Sequence, residues 1–380
     1  MSRILMSKAT VGLEEEEALI RAIRSGWVTP LGPEVDAFEA EICERTGRQH
    51  ALALSSGTAA LHLALLELGA KPGVCVVLSS MTFAATANAV AYTGADAVFV
   101  DAQESDGNVD SELMLEAIRT LQGEGRSVAA AVPVDLFGRC VEYDTLEAGL
   151  AELDVPMLAD AAESLGATFK GKAAGAYGRA AAFSFNGNKI MTTSGGGMLV
   201  SDDAELINRA RYLSTQARQP APWYEHTEVG YNYRMSNILA AIGRAQLAKL
   251  DDFITRRQAI RQMYVDAFAD IEGLRFLGSA KDVDGTAENC WLTAVDLGTD
   301  VGVSADEMVA HLDANDIEGR HLWKPMHLQP LWKDSRSFVT GASETLFRRG
   351  VTLPSGYGLT DDEIEQVIGA VRNRLLKSNQ

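Results

Sequence analysis

The 380-residue sequence lacks several features that mark whole classes of protein. It contains no run close to the roughly 18 apolar residues that a membrane-spanning helix requires. Its first residues, MSRILMSKATVGLEEEE, become acidic before the apolar core of a signal peptide could form. No internal repeat and no low-complexity segment is visible. We therefore expect a cytoplasmic globular protein with no membrane partner.

Positive charge and paired cysteines are also scarce. The sequence has 34 Lys and Arg against 52 Asp and Glu, a formal net charge of -18. This balance argues against a nucleic-acid partner, because binding a phosphate backbone requires clustered Lys and Arg. It does not exclude a small anionic ligand, which responds to the local field. Four scattered cysteines, without CxxC pairs or His at metal-ligand spacing, are expected to be reduced and to bind no metal: Cys43, Cys75, Cys140 and Cys290.

Short apolar strands alternate with helices through the first half of the chain. Two helices, GTAALHLALLELGA and FAATANAVAYTG, each have a glycine placed to end them, Gly69 and Gly94. Continuously apolar strands in such an order indicate a mostly parallel sheet covered on both faces, hence an α/β fold. The seven predicted strands are HALALSS, CVVLSS, ADAVFVDA, SVAAAVPVDLFG, VPMLADAAES, AAAFSFN and GGGMLVSDD.

The second half of the chain predicts a smaller α+β unit. A long amphipathic segment, 236–268, shows no internal cap and is expected to leave the large domain and enter the small one. We place the division at residue 250, giving domains 1–249 and 250–380. Capping boxes are predicted where Ser304 precedes Glu307 and where Thr360 precedes Glu363. The expected order is strand, helix, strand and a final helix: NCWLTAVDLG, SADEMVAHLDAND, IEGRHLW and TDDEIEQVIGAVRNRLL.

One lysine stands between two glycine-containing turns in SFNGNKIMTTSGGGMLV. Lys189 could be a solvated loop charge, a phosphate ligand or an amine used in covalent chemistry. A Walker loop requires GxxxxGK[ST] followed by a helix, whereas Asn188 separates Gly187 from Lys189 and a strand follows. The phosphate-loop interpretation therefore fails.

Two other polar positions are expected at the same edge of the sheet. Open parallel sheets bind ligands at the carboxyl ends of their strands. Lys189 and Asp160 each follow an apolar strand, and the SSGTA stretch at 55–59 turns directly into a helix whose free N–H groups favour phosphate. Taken singly, each has a structural explanation as a helix cap or loop charge. Together they indicate a phosphorylated cofactor that forms a Schiff base.

These residues carry a resemblance that covers nearly the whole chain. The sequence resembles the DegT/DnrJ/EryC1/StrS sugar aminotransferases, which are fold-type-I pyridoxal 5'-phosphate (PLP) enzymes. Within that family it is most similar to enzymes that aminate C4 of a UDP-4-keto-6-deoxy-N-acetylhexosamine, as in the bacillosamine type. The matching stretches, in the family's order, are SSGTAALHLAL, SSMTFAATANAV, ADAAESLGA, FSFNGNKIMTTSGGGM, GYNYRMSN and WKPMHLQP.

The resemblance implies a role for each matching residue toward PLP. Lys189 would be the Schiff-base lysine and proton carrier, and Asp160 would pair with the pyridine nitrogen. Phe83 would stack on the ring, unless it packs in the core, and Glu163 would approach the ring hydroxyl, unless it is a surface carboxylate. Asn232 would reach the phosphate from a partner subunit of a homodimer; otherwise GYNYR is an aromatic-rich loop. The remaining phosphate contacts would be Gly57, Thr58, Ala59 and Ser184.

The resemblance also implies the two substrates. L-glutamate would convert PLP to pyridoxamine phosphate (PMP), and the amine would then pass to the UDP-linked keto-sugar. Substrate contacts are expected from Thr29 in the loop SGWVTPLG, from Asn186, and from Lys324 and His327 in the basic segment GRHLWKPMHLQP. That segment could instead offset neighbouring acids. Two departures, Asn186 where many members carry His and Glu163 where many carry Gln, are expected to tune specificity.

Three alternatives stay open. Amination at C3 and dehydration are the nearest rival reactions, although relatives that dehydrate replace the lysine by His. A non-catalytic regulator is the rival from another class. It would require a helix-turn-helix or a basic face, and neither is visible in the sequence.

Overall fold

The structure is a computed structural model that describes residues 3–279, 281–299 and 302–377. Its helices are α1 (Leu13–Arg24), α2 (Pro33–Thr46), α3 (Gly57–Glu67), α4 (Ala84–Thr93), α5 (Ser111–Gly123), α6 (Tyr143–Glu152), α7 (Ala204–Ser214), α8 (Asn237–Leu247), α9 (Leu250–Ala267), α10 (Ala305–Asp313), α11 (Ala342–Arg349) and α12 (Asp361–Lys377). Its strands are β1 (His50–Leu54), β2 (Cys75–Ser79), β3 (Asp96–Val100), β4 (Val128–Val132), β5 (Leu158–Asp160), β6 (Thr168–Phe169), β7 (Lys172–Ala173), β8 (Ala180–Ser184), β9 (Gly197–Ser201), β10 (Arg275–Phe276), β11 (Thr293–Asp296), β12 (Arg320–His321), β13 (Ser337–Phe338) and β14 (Gly350–Leu353). Among the described residues, no helix is both long and apolar enough to cross a membrane.

All seven strands predicted in the first half of the chain are present. They lie in the order β3, β2, β4, β5, β8, β9, β1, where β4 and β5 are joined by single bridges such as Ala131 with Met157. Neighbouring strands are parallel except at β9, which runs antiparallel to β8 and to β1. The prediction of a mostly parallel seven-stranded sheet is therefore confirmed.

Glycines end the two predicted helices that cover this sheet. Gly94 adopts a left-handed φ of 77° directly after α4, and Gly69 has φ 89° two residues after α3. At Gly94 a Cβ atom would also lie 2.9 Å from the ring of Pro72, so only glycine fits this turn. The turns return the chain to the sheet and leave the carboxyl ends of the strands at one edge.

The segment 236–268 is not one continuous helix. It divides into α8 and α9 at Ala248 and Lys249, where Lys249 has φ -106° and ψ 4°. The ammonium of Lys249 pairs with the buried carboxylate of Glu15 in α1, a contact that no local pattern reveals. Helix α9 then contributes Phe253 to the core under the large sheet and Tyr264 to the core of the C-terminal half.

The C-terminal half contains the predicted strand, helix, strand and final helix, here β11, α10, β12 and α12. An antiparallel sheet in the order β10, β11, β14, β12 forms its centre. Both capping boxes are present, with Ser304 and Thr360 each bonded reciprocally to a glutamate. The division at residue 250 stays a prediction, and two segments cross it: Ile4 pairs with Ile317, and β13 joins the edge of the large sheet at β3.

Candidate active site

A cavity of about 500 Å³ opens at the carboxyl ends of the large-sheet strands. The segments that follow β1, β5 and β8 line it, and the C-terminal half contributes part of its wall. The predicted residues that line the cavity are Gly57, Thr58, Phe83, Asp160, Glu163, Ser184, Asn186 and Lys189. The sheet therefore brings most of the predicted cofactor site into one place.

Lys189 lies in the loop between β8 and β9, and its amine is largely buried. Its Nζ is 3.3 Å from Glu163 Oε1 and 4.0 Å from the centroid of the Trp291 ring. The side chain is only 11% exposed, so the interpretation as a solvated loop charge is wrong. The Lys189 N–H donates to the Asn186 carbonyl at 3.0 Å, which fixes the turn that presents the amine.

Asp160 ends β5 as a buried carboxylate at the cavity floor. It accepts hydrogen bonds from Thr86 Oγ1 at 2.7 Å and from the Ala162 N–H at 3.1 Å. Burial raises the pKa of Asp160, and the negative charge of Glu163 adds to the rise, whereas the two hydrogen bonds and Lys189 act against it. No helix follows it, so the helix-cap interpretation is wrong. A cation placed against this carboxylate would stabilise its charged form.

Glu163 and Asp135 are two further buried acidic side chains close to Asp160. Glu163 is 3% exposed and accepts from the Phe137 N–H at 2.7 Å, so it is not a surface carboxylate. Asp135 donates its N–H to the Asp160 carbonyl, and its own carboxyl accepts from Ser164 Oγ at 2.6 Å. Burial, with a further contribution from Asp160, raises the pKa of Asp135 to about 7. Asp160 is therefore held by hydrogen bonds and has two other buried acidic side chains as neighbours.

The start of α3 offers backbone donors to an anion. Ser56 caps the helix by accepting from the Ala59 N–H at 3.0 Å, so that N–H is already used, and Ala59 does not line the cavity. The Gly57 and Thr58 N–H groups have no acceptor within the part of the chain that the structure describes. Free N–H groups at a helix start are a favourable place for a phosphate.

Strand β9 passes very close to the start of α3, and this explains why its residue 197 is a glycine. A Cβ atom at Gly197 would lie 2.4 Å from the Gly57 nitrogen, so a side chain there would displace the start of α3. Ser184, at the end of β8, lines the same corner, and a Cβ atom at Gly57 would lie only 3.0 Å from its Cβ. The corner therefore consists of small residues and backbone donors.

Phe83 forms an aromatic wall of the cavity. It precedes α4 and is 56% exposed, so it is not a core residue. Its ring centroid lies 5.6 Å from that of Trp323, which lines the cavity from the C-terminal half. Stacking of Phe83 on a cofactor ring stays a prediction.

The other predicted contacts lie outside the cavity of their own chain. Thr29 is exposed on the N-terminal segment, and Asn232 is exposed while its backbone pairs with Thr215. Lys324 does not line the cavity. His327 Nδ1 lies 2.6 Å from Ser80 Oγ, and burial lowers the pKa of His327, so a positive charge there is disfavoured.

Several lining residues were not among the predicted site residues, including Thr86, Trp291, Arg320 and Trp323. Arg320 and Trp323 belong to the basic segment, so their position was signalled although their function was not. Thr86 lies within the matching stretch SSMTFAATANAV, whereas no motif marks Trp291, which reaches the site through tertiary packing.

Together these groups fit one class of cofactor. A buried amine, a buried carboxylate, free N–H groups at a helix start and an aromatic wall match the aldehyde, ring nitrogen, phosphate and ring of PLP. When bound, PLP acts as an electron sink for charge that develops on a substrate carbon. The fold and the site define a PLP-dependent enzyme.

Comparison with known proteins gives the family. The model of the DegT/DnrJ/EryC1/StrS aminotransferase family matches residues 10–372, and the chain belongs to this family. One relative is EpsN of Bacillus subtilis (strain 168), which is provisionally named a pyridoxal phosphate-dependent aminotransferase. The two sequences are 42% identical, and the match covers 96% of this chain and 94% of EpsN. It is 34% identical to the GDP-perosamine synthase of Caulobacter vibrioides, over 98% of both chains. The protein is a PLP-dependent sugar aminotransferase.

Solved structures agree with this assignment. A DegT DnrJ EryC1 StrS aminotransferase from Brucella abortus superposes with a TM-score of 0.87 at 30% identity over 95% of both chains. The aminotransferase TlmJ from Streptoalloteichus hindustanus gives a TM-score of 0.91 at 28% identity over 99% of both. The predicted fold-type-I architecture is thereby confirmed.

Proposed function

We propose that the enzyme moves an amino group from L-glutamate to C4 of a UDP-linked 4-keto-6-deoxy-N-acetylhexosamine. The two half-reactions alternate at one site, in ping-pong order. Lys189 would hold the cofactor in the resting enzyme, would be displaced by the amine of L-glutamate, and would release the amino-sugar product at the end of the second half-reaction. In both half-reactions its free amine would carry a proton to or from the substrate carbon. Asp160 would hold the ring nitrogen of the cofactor in its protonated form, and Glu163 would keep the freed lysine close to the reacting atoms.

The names of the relatives support a nucleotide-linked amino sugar. GDP-perosamine synthases from three bacteria are 32–34% identical to this chain, and a spore coat polysaccharide biosynthesis protein, SpsC, is 34% identical. Position C4 and the uridine carrier rest on the resemblance of the motifs. Asn186, which lines the cavity beside Lys189, is the residue that we assign to contact the sugar.

The observation that carries the proposal is the place of the basic segment. Arg320 and Trp323 line the cavity, and Lys324 follows directly. Arg320 is already paired with Glu318, so Lys324 is the cation of this segment that we assign to the diphosphate of a sugar that reaches Lys189. Such local compensation is needed because the chain carries a net charge of -18. Thr29 and His327 are assigned to the outer part of the same substrate.

Neutralising Lys324 is expected to weaken the sugar nucleotide selectively. In Lys324→Ala, KM for the UDP-keto-sugar should rise roughly fivefold or more, because a charge-assisted contact to phosphate is lost. The glutamate half-reaction should be unchanged, as stopped-flow absorbance of the cofactor would show. Lys333→Ala, at an exposed lysine further along the chain, is the matched control.

Two results would overturn this substrate assignment. One is equal damage to both half-reactions in Lys324→Ala. The other is equal turnover of the keto-sugar with and without its nucleotide. Product analysis then separates the rival reactions, because amination introduces nitrogen at C3 or C4 and dehydration removes water. Mass spectrometry detects the difference, and NMR locates the carbon.

We also propose a homodimer whose subunits share each site. Asn232 is exposed and absent from the cavity of its own chain, while the segment before it carries exposed apolar side chains. Trp223 is 61% exposed and Tyr224 is 79% exposed, an arrangement typical of an interaction surface. A second copy would cover these apolar side chains and bring Asn232 to the phosphate.

Complementation tests the shared site. Lys189→Ala and Asn232→Ala, each poor alone, form one intact site in every mixed dimer. After co-refolding in equal amounts, activity should reach roughly a quarter of the wild-type value, because half of the dimers are mixed and each has one good site. Each variant refolded alone is the control. Absence of any recovery, with Asn232→Ala binding PLP normally, would contradict the contact across the dimer.

A further inference from the structure

The amine of Lys189 rests against the indole of Trp291. The distance from Nζ to the ring centroid is 4.0 Å, and Trp291 is 1% exposed. An ammonium over an indole face is attracted by the ring quadrupole, and the attraction strengthens when water is excluded. Glu163 approaches the same amine from another direction, with Oε1 at 3.3 Å. The free amine thus contacts one carboxylate and one aromatic face.

The same indole also holds the backbone that carries the lysine. Its Nε1–H donates to the carbonyl of Asn188 at 2.7 Å, directly before Lys189. Ser7 Oγ donates to the same carbonyl at 2.9 Å. The Trp291 side chain therefore contacts both the backbone directly before Lys189 and the amine at the end of the Lys189 side chain. A ring that only filled space in the core would not make both contacts.

A buried arginine supports Trp291 from behind. Arg257 donates to the Trp291 carbonyl at 2.6 Å, to the Ser355 carbonyl at 2.9 Å and to Ser7 Oγ at 3.0 Å. Burial lowers the pKa of Arg257 to about 10, and no carboxylate pairs with it within the described residues. A buried cation held only by neutral oxygens is costly, so this support is not explained by stability alone.

The backbone before the indole is strained as well. Cys290 has φ 52°, in the left-handed region that a residue with a side chain rarely adopts. The Trp291 N–H donates to Asn289 Oδ1 at 2.8 Å, and Asn289 in turn donates to the carbonyls of Glu163 and Leu165. Strain that surrounding contacts maintain is typical of functional sites.

We propose that Trp291 is a positioning residue that, with Glu163, holds the free amine of Lys189 beside the reacting carbon. The inference rests on the proposed role of Lys189. A lysine that is displaced from the cofactor must stay nearby to carry a proton, yet its side chain is long and flexible. The indole and Glu163 restrict that freedom, and the frame behind Trp291 belongs largely to the C-terminal half of the chain.

The first experiment measures the amine in the cofactor-free protein. Pulse labelling with acetic anhydride at fixed pH, followed by peptide mass mapping, gives the rate at Lys189 relative to the exposed Lys71. In Trp291→Leu this rate should rise roughly fivefold or more, because the amine loses the aromatic face. Trp291→Phe keeps an aromatic face that attracts the ammonium less strongly. Its labelling rate at Lys189 should lie between those of wild type and Trp291→Leu, at least about twofold above wild type. Trp332→Leu, outside the cavity, should match wild type.

The second measurement separates positioning from folding. In the loaded enzyme, Trp291→Leu should slow the glutamate half-reaction roughly tenfold or more with KM changed less than about twofold, and Trp291→Phe should restore part of the rate. Wild-type labelling of Lys189 in folded Trp291→Leu would overturn the inference. If that variant does not fold, an unchanged labelling rate in Trp291→Phe overturns it. Failure of Lys189 itself is detected separately, since borohydride reduction would then label another lysine of the wild-type enzyme.

Discussion

Replacing Lys189 by alanine is expected to abolish transamination, with a loss of at least roughly 1000-fold in kcat. The structure offers no substitute, because Lys189 is the one lysine among the described residues that line the cavity. The variant should still fold, since Glu163 keeps its bond from the Phe137 N–H. It should bind PLP weakly and without a covalent link, as absorbance spectra and dialysis would show.

Peptide mapping gives the decisive control for this prediction. Borohydride reduction of the wild-type enzyme with PLP should leave a pyridoxyl group on Lys189. Lys71→Ala, which removes an exposed lysine, should behave as wild type. A pyridoxyl group on any other lysine would show that the assignment is wrong.

Asp160→Asn is expected to have the second-largest effect. Asparagine keeps the shape and can still accept from the Ala162 N–H at its single oxygen, while its NH2 group would face Thr86 Oγ1 as a donor. It carries no negative charge to pair with a cationic ring nitrogen. Breaking one side of a buried ion pair costs about 3–5 kcal/mol. Part of this cost should appear as a loss of roughly 100-fold or more in kcat/KM. The measurement is steady-state kinetics, with thermal unfolding to show that the fold survives.

Thr86→Val separates charge from geometry at the same carboxylate. It removes the hydroxyl that donates to Asp160 Oδ2 at 2.7 Å and leaves the charge in place. We expect it to lower kcat/KM by roughly tenfold, because one buried hydrogen bond is lost while the ion pair is kept. Near-normal turnover of Asp160→Asn would mean that Asp160 has only a structural role.

The sequence was sufficient for the large sheet because its strands are short, apolar and separated by helices that glycines end. The sequence was insufficient where a strand has only two residues, as in β13, or where a helix begins without a capping side chain, as in α9. Strand β13 is too short for any pattern, and its place beside β3 depends on long-range packing. The break between α8 and α9 coincides with the pairing of Lys249 with Glu15, which lies far away in the chain.

The site shows the same limit at the level of single residues. Lys189, Asp160 and Glu163 follow strand ends and belong to family motifs, so the sequence alone predicts that they lie together at one edge of the sheet. Trp291 lies in an ordinary apolar strand pattern, and nothing local reveals that its ring faces Lys189. His327 belongs to the basic segment, but burial lowers its pKa and so disfavours a positive charge there. Burial and tertiary neighbours decide such properties, and neither can be read from spacing.

The antiparallel pairing of β1 with β9 has a consequence for how the protein is made. Leu54 pairs with Gly197, so at ribosomal rates of about 5–20 residues per second the first strand waits on the order of 10 s for its sheet neighbour. Until then β1 is an apolar segment of the nascent chain that has no neighbouring strand to pair with. Such a segment favours contact with chaperones. The helix start after β1 and the lysine loop before β9 meet only when this pair closes. Capture of the cofactor must therefore follow the emergence of β9 from the ribosome.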